Sequence, residues 1–235
     1  MKTLLPCLLA ALLASGARAQ PGATPATLIP QLEALPLLQI DRAEAMASPG
    51  HPNEMWRYRA LRALKLHQAE AARRYFRFAS RYGDKFSQHA LSLMMWNGVG
   101  GPVDRAQAYA WSDLAAERGY RDLLLVREKM WMQLDAAQKA RAMLAGQALY
   151  AEYADAVARP RQAWAMRRAF AAATGSRVGA TSDRLRFEQG DVSAEYFFVD
   201  KRWNDEYWRE QDRQWKARVI VAPPQPLRDA EPDRP

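Results

Sequence analysis

The stretch Trp96 to Asp104, WNGVGGPVD, decides how this chain is read. It holds Gly98, Gly100, Gly101 and Pro102, with helical-looking sequence on both sides. Two readings compete: a glycine loop that cradles a phosphate, or the corner between two packed helices. A phosphate loop needs a hydrophobic strand before its glycines and a Lys-Ser or Lys-Thr after them. Here a Met- and Trp-rich helical pattern precedes Gly98, and Val103, Asp104 and Arg105 follow Pro102. The stretch is therefore expected to be a corner, with Asp104 capping the helix that follows.

Working outward, the pattern stays helical from Met55 to about Tyr153. Tyr58, Leu61 and Leu64 recur at helical spacing, followed by Ala72, Tyr75, Phe76 and Ala79. Leu91, Met94 and Met95 mark a third helix, and Ala108, Trp111 and Ala115 a fourth. Gly83 and Gly119 stand where the second and fourth helices should end. An offset of 36 residues places Ala72 on Ala108, Tyr75 on Trp111, Ala79 on Ala115, Gly83 on Gly119 and Met94 on Met130. Recurrence at such a period is the mark of stacked helix pairs.

These residues carry a resemblance to the Sel-one-like repeat family, relatives of tetratricopeptide repeats. Ala108, Trp111, Ala115, Ala116 and Gly119 match the first half of its pattern. Ser87, Gln88, Leu91, Met95, Gly98, Gly100 and Asp104 match the second half. Met95 replaces the usual Tyr, Gly101 the usual Val and Ser92 a common Gly, and the pattern decays beyond Gly119. The resemblance covers about 69–132 and implies a short α-solenoid that mediates protein–protein interaction, often assembling or regulating envelope complexes.

Two units are few, since about three are usually needed to bury a continuous core. Flanking helices are therefore expected as caps: 55–66 in front, a long closing helix from Ala136 after an Asp135 N-cap, and a further piece from Arg161 to Ala173. The fold class expected is mainly α, with a small C-terminal α+β extension. Residues 1–19 read as a signal peptide, with Lys2, an apolar run and Ala17-Arg18-Ala19 as cleavage site. Residues 20–54 are a Pro- and Ala-rich segment with a short docked piece near Gln31 to Leu38. Residues 55–158 form the repeat domain, 159–222 C-terminal helices and short strands, and 223–235 a disordered tail. In that extension RLRFE (184–188) and ARVIV (217–221) read as strands, and a helix capped by Asn204 lies between them.

The leader implies a periplasmic or secreted protein. No later stretch is apolar enough to span a bilayer, so no transmembrane segment is expected in the mature chain. The sole cysteine, Cys7, would leave with the leader, and with it any disulfide or thiolate metal site. Net charge is +8, but the arginines are spread among acids, which predicts solvated surface rather than a nucleic-acid site. His51, His67 and His89 form no HExxH. His89 is expected to pack in a helix face and His51 to be exposed in its Pro-Gly loop. Ser176 and Ser182 lie in turn-like sequence, and the carboxylate pairs Asp205/Glu206 and Glu188/Asp191 sit beside basic residues. No enzyme, metal or cofactor is expected.

Trp96, Trp111 and Trp131 fall on repeat faces and are expected in the core. Trp203, Trp208 and Trp215 lie outside the repeats, interleaved with Arg202, Arg209 and Arg213. One reading makes them anchors of the C-terminal helix. The other makes Trp203, Tyr207, Trp208, Arg209 and Trp215 a platform for a partner. That partner is a protein of unknown identity, or in the alternative a cell-wall polymer or glycan.

Overall fold

The computed structural model describes Leu28, Ile29, Leu32, and residues 50–174, 184–187, 190–193 and 205–216. Among these residues the chain is mainly α, with seven helices packed in adjacent antiparallel pairs up to residue 174. They are α1 (Pro52–Lys65), α2 (Ala69–Ser80), α3 (Lys85–Asn97), α4 (Arg105–Ala115), α5 (Arg121–Gln133), α6 (Ala136–Tyr153) and α7 (Asp155–Thr174). A 3-10 turn, Ala116–Arg118, extends α4. Two short strands, β1 (Arg184–Phe187) and β2 (Gly190–Ser193), pair antiparallel with Leu185 opposite Val192. A last helix, α8, covers Asp205–Lys216. The leader, Trp203, Asn204, the 217–221 strand and the 223–235 tail lie outside the described residues.

Helix ends repeat at the spacing read from the sequence. The second and fourth helices begin at 69 and 105, and the third and fifth run 85–97 and 121–133. Gly83 and Gly119 precede α3 and α5 with φ of 74° and 72°. Ala72, Ala79, Ala108 and Ala115 are fully buried, because small side chains let the paired helices approach closely. Phe76, Phe86, Leu64, Leu91, Met94 and Trp111 fill the core between them, and Tyr153 meets Trp111 edge-on at 4.9 Å. Leu28 and Leu32, four residues apart, add to the same core.

Trp111 is buried as expected, but Trp96 and Trp131 are only half-buried, with Arg105 and Lys139 lying over their faces. Asp104 caps α4 through Gln107 N–H, and Asp135 caps α6 in a reciprocal box with Gln138. The long closing helix expected from Ala136 is broken at Ala154, where the backbone turns extended (ψ 156°). The break is held by the Asp155 N–H, which donates to both oxygens of Glu117 at 3.0 and 3.1 Å. The next helix starts at Asp155, not at Arg161, and runs through Pro160 at the cost of one backbone hydrogen bond.

α5 is thinly packed. Leu123 and Met130 are its buried residues, while Leu125 and Met132 face outward, Met132 at 72 % exposure.

Candidate functional site

Three arrangements carry polar or aromatic groups with chemistry beyond core packing. The first is the seat of α8. Tyr207, Gln211 and Trp215 recur at i, i+4 and i+8, so one face of the helix, with Trp208 beside it, meets the body. The Tyr207 hydroxyl accepts from Asn53 Nδ2 at 2.6 Å and from Gln211 Nε2, and donates to Glu54 Oε1 at 3.0 Å. The guanidinium groups of Arg118 and Arg159 each lie 5.0 Å from the Trp208 ring. Trp215 stacks on Tyr120 at 5.1 Å and 5°. The Tyr120 hydroxyl donates to Asp212, and burial, with that carboxylate, pushes its pKa up to about 12.

Of the five residues read as a partner platform, Tyr207, Trp208 and Trp215 are therefore buried inside the chain. Arg209 is exposed, and Trp203 lies outside the described residues. The same seat corrects the expectation for His51, which is 1 % exposed rather than open to solvent. Its ring lies 4.5 Å from that of Tyr207, and Gln162 Nε2 pins the adjoining turn by donating to Gly50 O at 2.9 Å. Replacing Trp208 and Trp215 together by Ala is expected to undock α8. Limited proteolysis should then cut within 205–216 while the body keeps its helical circular dichroism. Resistance equal to the parent's would refute this seat.

Beneath Trp208 lies a buried ionic cluster, the second arrangement. Lys85, at the start of α3, donates to Glu117 at 2.6 Å and to Gln88 Oε1 and Leu114 O, each at 3.1 Å, and pairs with Asp155 at 3.2 Å. Arg118 grips Asp155 with two bonds (2.7 and 3.0 Å) and also donates to Gly83 O. Arg159 adds a third cation to Asp155 at 3.0 Å. Burial alone would raise the Asp155 pKa, but the Arg118 bonds and charge, then Lys85 and Arg159, overrule it and hold it at about 2. Burial lowers the Lys85 ammonium, which the carboxylates offset in part. A separate buried pair, Arg57 and Asp84 at 2.7 Å, ties α1 to the start of α3. Burial holds Asp84 above the usual carboxylate range, with Arg57 and Ser87 pulling the other way.

The third arrangement is open. A pocket of about 300 Å³ is lined by Glu70, Arg73, Arg74, Arg77 and Gly100. Its floor is α2, and its wall is the glycine corner. Gly100 comes so close to α2 that a Cβ there would lie 2.6 Å from Ala69 O. At Gly101 a Cβ would occupy the space taken by the Arg73 guanidinium, which donates to Gly100 O at 3.4 Å. Hydrogen bonds separate this corner from a phosphate loop. The N–H groups of Gly98 and Val99 donate to Met94 O, and that of Asp104 to Met95 O. The Asp104 carboxylate already occupies the N-terminus of α4. The loop thus turns the donors of Gly98, Val99 and Asp104 to the end of α3 and offers the Gly100 carbonyl to Arg73.

No family model, curated protein or solved structure matches the chain. His89 is buried in α3, and burial lowers its pKa to about 4. Among the described residues no three His, Cys, Asp or Glu side chains gather as a metal would need, and no helix is long and apolar enough to cross a membrane. Asp205 is exposed at the start of α8 and Asp191 lies on β2, while Glu188 falls outside the described residues. The arginine groove is what sequence reading passed over, because RRYFR on a helix reads as solvated surface. The nearby glycines were the available signal that a second wall stands over it.

Proposed function

We propose that the chain is a non-enzymatic, exported scaffold of Sel-one-like type that binds a protein partner in the bacterial cell envelope. The observation that carries this reading is the 36-residue recurrence of helix starts at 69 and 105 and at 85 and 121. It supports stacked repeat pairs, and such stacks present extended surfaces suited to binding. The repeat residues Ala72, Ala79, Gly83, Leu91, Gly98, Gly100, Asp104, Ala108, Trp111, Ala115, Ala116 and Gly119 serve packing and turning in this reading. The buried ionic groups are spent on each other, and the arginine groove opens outward with three arginines against the one carboxylate of Glu70. This distribution favours recognition over catalysis. Export rests on the leader sequence.

The test is a crosslinked capture from envelope extract with the tagged chain. One or two proteins are expected to survive moderate salt, and the captured protein, once purified, should re-form a complex of fixed stoichiometry with the purified chain. Retention only by insoluble wall polymer, falling with added salt, would replace the reading with polymer binding through Trp and Arg. The burial of Trp208 and Trp215 weighs against that alternative.

A further inference from the structure

We propose that the groove of Arg73, Arg74 and Arg77 seats an acidic segment of the protein partner, a stretch of peptide with two or more spaced carboxylates. This inference rests on the scaffold reading and names the chemistry of the partner. Several arginines elsewhere in the fold carry an ion pair: Arg57 with Asp84, Arg118 and Arg159 with Asp155, Arg127 with Glu128. Among the described residues the three groove arginines carry no ion pair. Arg73 is half-buried against the corner, and burial followed by the charge of Arg77 depresses its pKa, with Asp104 opposing. The groove therefore holds cations side by side at an electrostatic cost that an arriving anion would relieve.

Geometry favours peptide over phosphate. Residues three and four apart on a helix stand about 5–6 Å from one another, so Arg73, Arg74 and Arg77 present separate forks rather than one convergent point. Carboxylates spaced along a peptide suit that layout. The other polar groups of the groove are acceptors, the Gly100 carbonyl and the Glu70 carboxylate. Any anion meets the Glu70 carboxylate with repulsion, but a peptide also brings a row of backbone N–H donors that these acceptors can take. Phe78, one turn after Arg74 on α2, is 42 % exposed and stands 4.9 Å from Trp56, offering apolar surface further along the same helix.

The experiment is an anisotropy titration of the full mature chain with a labelled twelve-residue peptide of alternating Glu and Ser, at about 0.15 M salt, where the screening length is about 8 Å. Its Gln-for-Glu counterpart, inorganic phosphate and phosphatidylglycerol vesicles serve as competitors. R74E/R77E is compared with R121E/K129E, an equal charge change at exposed positions of α5. The groove variant is expected to lose at least roughly tenfold in affinity and the control less than about threefold. R74Q/R77Q, which adds no new charge, should fall between the parent and the reversal. Equal loss in both reversals, equal binding of the Gln peptide, or stronger competition by phosphate or vesicles would each overturn the assignment. Capture of the same partner by R74E/R77E at parental strength would sink the groove while leaving the scaffold standing. Absence of any protein partner for the parent chain would sink the scaffold.

Discussion

Asp155→Ala is expected to lower the unfolding free energy by about 3–5 kcal/mol, because it strips the shared anion from buried cations. Lys85 would keep Glu117, but Arg118 would lose both of its charged bonds and retain the Gly83 carbonyl. Glu117 would still hold the residue 155 N–H, so the chain break at Ala154 should survive. The pH dependence carries a definite sign. A folded pKa of about 2 lies below the unfolded value, so the stability from Asp155 is fully present above about pH 4 and is lost as pH falls through 2. That contribution is about 2 kcal/mol. Asp84, held high by burial, titrates with the opposite sign, so the difference between parent and variant isolates Asp155. Urea unfolding from pH 7 to 2 is the measurement. The gap should narrow below pH 4; a gap under about 1 kcal/mol at neutral pH would refute the cluster as described.

Gly100→Ala is expected to cost about 2–5 kcal/mol, from two separable sources. A φ of 73° penalises any L-residue by about 1–2 kcal/mol. The added Cβ also meets Ala69 backbone atoms at 2.6 and 2.7 Å, and a helix start cannot yield as a side-chain tip does. Such crowding adds about 1–3 kcal/mol. Gly119→Ala is the control, since it shares the conformation (φ 72°) but its Cβ meets nothing within 4 Å. Urea unfolding of both variants should show Gly100→Ala the more damaging. Equal losses would mean that the corner does not press on α2.

The packed antiparallel helices were legible because they are written locally. Alanines at fixed spacing, Gly83 and Gly119 at helix ends, and Asp104 and Asp135 at helix starts each act within a few residues of themselves. The seat of α8 was not legible, because its partners are distant in the chain. Tyr207 bonds Asn53 across 154 positions. The arginines over Trp208 are Arg118 and Arg159, both distant from it in sequence. The break at Ala154 was hidden for the same reason: alanine-rich sequence propagates a helix unless a remote carboxylate such as Glu117 captures its next N–H. His51 read as exposed because Pro-Gly turns usually lie on the surface, whereas Tyr207, distant in sequence, packs against its ring.

The thin packing of α5 has a consequence for how the molecule breathes. Holding on through Leu123 and Met130, and through Trp131 against Tyr109 at 4.8 Å, it has little apolar area to lose on opening. Its backbone amides should therefore trade hydrogen for deuterium through local openings well below the energy of global unfolding. Those of α3, most of whose residues are buried, should wait for the whole domain to come apart. The row of helices is thus graded, with a firm centre at α3 and a loosely latched edge at α5.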